Sequence, residues 1–294
     1  MTGATIKHCA VNGSNFAVQV STGATWIINE GTSIRNNFGG GNGAASYMSG
    51  TLKMNGAEYK NNMAVNCNGT FIMARFGTFE MKGGTISGNA GVMGSSNGFN
   101  SAIYLHAGGK FVMTGGTILD NTGYSAGAVY AKADSYGTEL LGGDIRNNEC
   151  VSSDYYTAAN DLVIIKESII GEGMTCGDVL VRANLENAGT IEGDVYIRSG
   201  AVLTNKGTIN GNVTLYIPAG SNRNDYFKGS GSYSGELIVY YTPTEEHPYI
   251  LNLYYGGGTD QFGLNGSGYL KWRSNADDTM NVTLEDITNE VTVT

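Results

Sequence analysis

One ten-residue frame recurs through the first half of this chain. It reads INEGTSIRNN (28–37), KMNGAEYKNN (53–62), EMKGGTISGN (80–89), VMTGGTILDN (112–121) and ELLGGDIRNN (139–148), with a degenerate copy, GATIKHC, at 3–9. The central apolar column is Ile6, Ile34, Tyr59, Ile86, Ile118 and Ile145, at steps of 28, 25, 27, 32 and 27 residues. A fixed period of this length marks a stack of identical supersecondary units, because each unit buries its apolar face only against its neighbours.

Each repeat holds short alternating strands. In GTFEMKGG, Phe79 and Met81 fall on one face and Glu80 and Lys82 on the other, the period-two pattern of a half-buried strand. Gly83-Gly84 is expected to turn the chain, Thr85-Ile86 to form a second short strand, and SAIYLHA (101–107) and GAVYAKA (127–133) a third. Three short strands per coil with no helix between them predict an all-β fold, a parallel β-helix. The handedness preference of parallel crossovers makes it right-handed.

Asn37, Asn62, Asn89, Asn121 and Asn148 occupy one position of the frame, three after the apolar column. Stacked amides can hydrogen-bond from coil to coil, and Asn tolerates the left-handed backbone that a tight turn needs. These five residues are therefore expected to form a structural ladder, with Cys9 capping it in the first coil. The period then shortens. Asp161-Leu-Val-Ile, Asp178-Val-Leu-Val, Asp194-Val-Tyr-Ile and Asn212-Val-Thr-Leu step by 17, 16 and 18 residues. The expected organisation is one parallel β-helix over 1–217, with wide coils over 1–158 and narrow coils over 159–217. A C-terminal β cap follows over 218–294, built from ELIVYY (236–241), YILNLYY (249–255), GYLKW (268–272), MNVTL (280–284) and ITNEVTVT (287–294).

Composition narrows the function. Gly is 45 of 294 residues and charged residues are 15%, which disfavours helix; 41% hydrophobic residues disfavour simple disorder. No run of about 18 apolar residues exists, so no membrane insertion by a helix is expected. A net charge of −9 disfavours nucleic acid, which requires a basic surface. Cys9, Cys67, Cys150 and Cys176 share no close spacing, and His8, His106 and His247 are scattered. No metal site and no cofactor are therefore expected. Met1–Ala4 leads straight into turn-rich sequence, and the chain is expected to be part of a longer polypeptide.

FGTFEMKGGTISGNA (76–90) and GGKFVMTGGTILDNTGYSAGAVYAKA (108–133) resemble the right-handed β-helix repeats in large surface proteins of Gram-positive, often gut-dwelling, bacteria. The narrow coils after AANDLVI (158–164) are similar to the segment that often follows those repeats, so the resemblance spans roughly residues 3–217. It implies secretion, an extracellular location at the bacterial cell surface, and an adhesin-like or carbohydrate-related role, with a glycan or a host surface protein as partner. Related solenoids include polysaccharide lyases and glycoside hydrolases, so enzyme activity is the alternative.

Two places could carry binding. Aligned third strands give outward columns: Gln19, Tyr47, Met73, Tyr104 and Tyr130, and beside it Ser21, Ser49, Arg75, His106 and Lys132. Aromatic rings stack on sugar faces and basic groups pair with carboxylates, so Arg75, Tyr104, His106, Tyr130 and Lys132 are candidate residues for an acidic glycan. The second place is the insertion-like loop at the wide-to-narrow junction, with Asp154, Tyr155 and Tyr156 as candidates, since loops on a rigid scaffold carry function. No catalytic set is assigned. Of the acids in the wide coils only Glu80 and Glu139 share a column, two coils apart, and Asp161, Asp178 and Asp194 are read as turn residues.

Overall fold

The computed structural model describes residues 1–11, 16–40, 46–65, 72–92, 101–152, 158–198, 200–217, 226–241 and 270–274. These residues form three stacked parallel sheets, of fifteen, eleven and six strands, with no helix among them. This is the arrangement of a parallel β-helix solenoid. Every strand pairs with its counterpart one coil away, and the frame read from sequence is the pairing register. Ile6 faces Ile34, then Tyr59, Ile86, Ile118, Ile145, Cys176, Ile191, Ile209 and Tyr233. Ile34 through Ile209 in this column are fully buried. A second inward column carries Leu52, Phe79 and Phe111, and the two Phe rings stack at 5.0 Å with 14° between their planes. Each such side chain contributes roughly 1.5–3 kcal/mol through burial, which is how coils with almost no local stability hold one another.

The double glycine does not turn the chain. Thr78–Ser87 is one continuous strand, as are Thr51–Lys60 and Gly137–Arg146, and the pairing register shifts at Gly83. Gly84 bends the strand at φ +97°, and a Cβ there would stand 2.1 Å from the Ala57 carbonyl oxygen. Close approach of the neighbouring backbone together with a positive φ leaves room only for glycine.

At the next corner the Asn pairs divide the labour. The left-handed residue is the one before the ladder: His8, Asn36, Asn61, Gly88, Asp120 and Asn147, with φ of 57°, 54°, 54°, 62°, 55° and 56°. The expectation that the ladder residue itself takes this conformation is therefore corrected by one position. The residue that follows is released to point inward, and there the amides link. Nδ2 of Asn37, Asn62, Asn89, Asn121 and Asn148 donates to the next coil's Oδ1 at 3.0, 2.8, 2.8, 2.9 and 2.8 Å, the last acceptor being Asp161. The backbone N–H of each donates to the same oxygen, and Cys9 N–H starts the series on Asn37.

Beyond Asp161 the direction reverses. Asp178 N–H donates back to Asp161 Oδ2 at 3.0 Å, Asp194 N–H to Asp178 Oδ1 at 2.8 Å, Asn212 N–H to Asp194 Oδ1 at 2.8 Å, and Glu236 N–H to Asn212 Oδ1 at 2.8 Å. Two donor series thus converge on the buried Asp161 carboxyl, which is 3% exposed. Only a group with two acceptor oxygens can serve both, and an amide has one.

The six-stranded sheet runs from Ala10–Val11 to Glu149–Cys150 and belongs to the wide coils alone; the narrow coils continue the other two sheets. Parallel pairing also carries on past residue 217. Phe227–Gly229, Ser232–Tyr233 and Leu237–Tyr241 each pair with the preceding coil, and Leu270–Ser274 pairs with Leu237–Tyr241. The other strands expected in the C-terminal segment, at 249–255, 280–284 and 287–294, lie outside the described residues.

Candidate functional site

The expected outward columns exist as pairing registers but differ in exposure. Met73 faces Tyr104, which faces Tyr130, which faces Val163 and then Leu180. Tyr104 and Tyr130 are 4% and 3% exposed. With Ala126, Ala159, Val163 and Leu180 they form a second apolar cluster outside the lumen, and their rings lie 5.7 Å apart. Burial pushes the Tyr130 hydroxyl up to about 12 and the Tyr104 hydroxyl higher still. The column expected to face outward is packed rather than open at Tyr104 and Tyr130, and these two candidate rings are closed to stacking on a sugar.

The neighbouring column stays at the surface. Arg75 is exposed, while His106 and Lys132 are half-buried. Arg75 faces His106 in register, and Lys132 N–H donates to Leu105 O one coil away. Asp134 sits among them. Its carboxylate accepts the Ala107 N–H at 3.0 Å and lies 3.4 Å from Lys132 Nζ and 3.8 Å from His106 Nε2. Burial would raise the Asp134 carboxyl, but the Ala107 N–H, His106 and Lys132 outweigh it and hold it below its ordinary value. His106 is also held down, first by burial and then by Lys132 and Arg75, against the pull of Asp134. The basic stripe is therefore weaker than its residues suggest, with a neutral imidazole at pH 7 and one charge offset.

The strands end here in a corner that carries two exposed aromatic residues. Phe76 is 66% exposed at φ 59°, and Tyr136 is 73% exposed. Gly108 lies between them in the coil that separates theirs. A Cβ on Gly108 would stand 3.4 Å from the Phe76 ring and 3.5 Å from the Tyr136 ring. The absent side chain leaves two rings flanking a bare backbone. Phe76 N–H donates to Ala107 O at 3.0 Å, Gly108 N–H to Asp134 O at 2.7 Å and Tyr136 N–H to Gly109 O at 2.9 Å, so the sheet fixes the corner coil by coil. The Arg75 guanidinium lies 5.5 Å from the centre of the Phe76 ring, within cation–π range. Sequence reasoning missed these two rings. The signal was an aromatic residue immediately before the repeat glycine in FGTFEM and YGTELL, with Gly108 at that position in the copy between them, GGKFVM.

At the junction, Asp154, Tyr155 and Tyr156 lie outside the described residues. Beside that segment is a cavity of about 250 Å³ lined by Cys150, Ser152, Asn160, Asp178 and Tyr196 among others. Its polar groups are engaged internally: Asn160 Nδ2 donates to Asp178 Oδ2 at 2.6 Å, and the Cys150 thiol lies 2.9 Å from Tyr124 O. Burial raises that thiol to about 11, so it is not poised as a nucleophile. The Glu80 and Glu139 column is likewise engaged, Glu80 by Lys53 at 3.2 Å and Glu139 by Lys110. Among the described residues no group of three or more His, Cys, Asp or Glu side chains is placed to hold a metal ion.

No family model, no curated protein and no solved structure matches this chain.

Proposed function

We propose that this solenoid is a non-catalytic module of an exported bacterial surface protein, and that it binds glycan at the corner of Phe76, Gly108 and Tyr136. The exposed ring pair flanking a glycine backbone carries the reading. Exposed aromatic rings two coils apart, one on each side of a bare peptide, suit the apolar C–H face of a sugar, while Arg75 and Lys132 offer donors to its hydroxyl or carboxylate oxygens. The surface location rests on the likeness of 76–133 to Gram-positive surface repeats. A convex corner buries little ligand, so affinity is modest, and exposed charge contacts are screened at physiological salt, where the Debye length is about 8 Å.

A glycan array followed by calorimetric titration tests this, with Phe76→Ala and Tyr136→Ala beside the parent protein. Each variant should lose about tenfold in affinity, the equivalent of about 1.4 kcal/mol per ring. An array on which nothing binds, or a glycan that binds both variants as tightly as the parent, would overturn the reading.

A further inference from the structure

Tyr136 belongs to two features. It is one ring of the corner, and it also stands at one end of a groove of about 610 Å³ on the outer face of the fifteen-stranded sheet. The groove floor is a single register column: Glu139 faces Ile169, which faces Glu186, Thr204 and Lys228 in successive coils. Glu167 borders the floor beside Ile169, and Ile169 itself is 42% exposed, an apolar step between carboxylates. From the coil of Phe76 to that of Lys228 there are six strand spacings, about 29 Å along the solenoid axis.

Charge defines what can lie there. Glu139 is paired with Lys110 and Glu186 with Lys206 at 2.8 Å, and the other charged lining residues, Glu167 and Lys228, are of opposite sign. The groove is thus polar yet close to neutral, with Glu139, Glu167 and Glu186 over its first three coils, Thr204 and Lys228 over the last two, and no cluster of cations among its described lining residues to attract an acidic polymer. Acceptors on both sides of one apolar step, followed by a hydroxyl and an ammonium group, match a ligand that presents both hydroxyl edges and C–H faces.

We infer that the corner and the groove form one binding track running parallel to the solenoid axis, and that its ligand is an unbranched, uncharged oligosaccharide rather than an acidic one. This rests on the corner as a glycan site and extends it in length and in ligand class. The direction of the track follows from the fold. Successive coils present the same register position, so a linear polymer meets one floor side chain per strand spacing, as it would not if it ran around a coil.

The experiment is calorimetric titration of the whole chain with cello-, manno- and xylo-oligosaccharides of increasing length, and with oligogalacturonates as the acidic counterpart. Ile169→Arg and Thr204→Arg place bulk and charge on the outer floor without touching the core, and circular dichroism verifies their folding. Affinity for at least one uncharged series should rise about tenfold from disaccharide to hexasaccharide. Both arginine variants should abolish that gain and leave disaccharide binding unchanged, whereas Phe76→Ala should weaken both lengths. Affinity independent of length, arginine variants that bind the hexasaccharide as the parent does, or tighter binding of oligogalacturonates would overturn the track while leaving the corner standing. Absence of binding by every probe, or a Phe76→Ala variant that loses nothing, would remove the corner and the track together.

Discussion

The wide and narrow coils share two sheets and one ladder position but solve the corner differently. In the wide coils a short third sheet is inserted, the ladder residue is Asn, and each amide hands its hydrogen bonds on toward the C-terminus. In the narrow coils the third sheet is gone, the ladder residues begin as Asp, and each side chain accepts the backbone N–H of the coil after it. An Asn can both donate and accept, so it forms a chain of side chains; an ionised Asp accepts only, so it ties a side chain to a backbone. The two regions have opposite hydrogen-bond polarity, and Asp161 is where a polarity change becomes possible.

Three substitutions break or sharpen this comparison. The largest effect is expected at Asn89, which is fully buried, donates to Tyr59 O and Asn121 Oδ1, and accepts from Asn62 N and Nδ2. Asn89→Leu strands all of these partners and should cost about 3–5 kcal/mol in urea unfolding, at about 1–3 kcal/mol per unsatisfied buried group without full additivity. A loss under 1 kcal/mol, on the order of an exposed substitution, would show that the amides only line up.

The junction comes next, and it has a pH signature. Burial raises the Asp161 carboxyl from 3.8 to about 6, outweighing the hydrogen bonds from Asn148 and the Asp178 N–H. The folded state therefore holds this proton more tightly than the unfolded chain does. Its contribution to stability is complete below about pH 3.8 and is lost as the pH rises through about 6. Asp161→Asn turns an NH2 group against a backbone donor and should cost about 1–3 kcal/mol at pH 5. The gap to the parent should then narrow toward pH 7, because the parent loses its own contribution and the variant has none to lose. A gap that widens with pH would show that the carboxylate, not the acid, is the preferred form in the fold.

The smallest effect is expected two coils further on. Asp194 Oδ1 accepts Asn212 N–H, and Asn212 fulfils the same task toward Glu236 with an amide oxygen. Asp194→Asn should therefore shift stability by less than about 0.5 kcal/mol. If it costs as much as Asp161→Asn, the junction is not special and the narrow ladder needs carboxylates throughout.

These contrasts separate what was legible in the chain from what was not. The apolar column, the Asn frame and the shortening of the period were visible because stacking forces equivalent residues into register, so a periodic sequence is already a contact map. The rings at Phe76 and Tyr136 were visible in the same alignment but stood beside a glycine, where a turn is expected and side chains are discounted.

Sequence by itself determined that the chain stacks, where each coil begins, and which residues meet across coils, because register follows from a period repeated in one dimension. Only tertiary structure decided which outward positions are open, since Tyr104 and Tyr130 are closed by packing with each other and with Ala126, Ala159, Val163 and Leu180, most of them from neighbouring coils. It also brought Asp134 onto His106 and Lys132, and it set the two ladders running toward Asp161. Hydrogen-bond direction and solvent access depend on the orientation of groups in space, and a one-dimensional pattern carries neither.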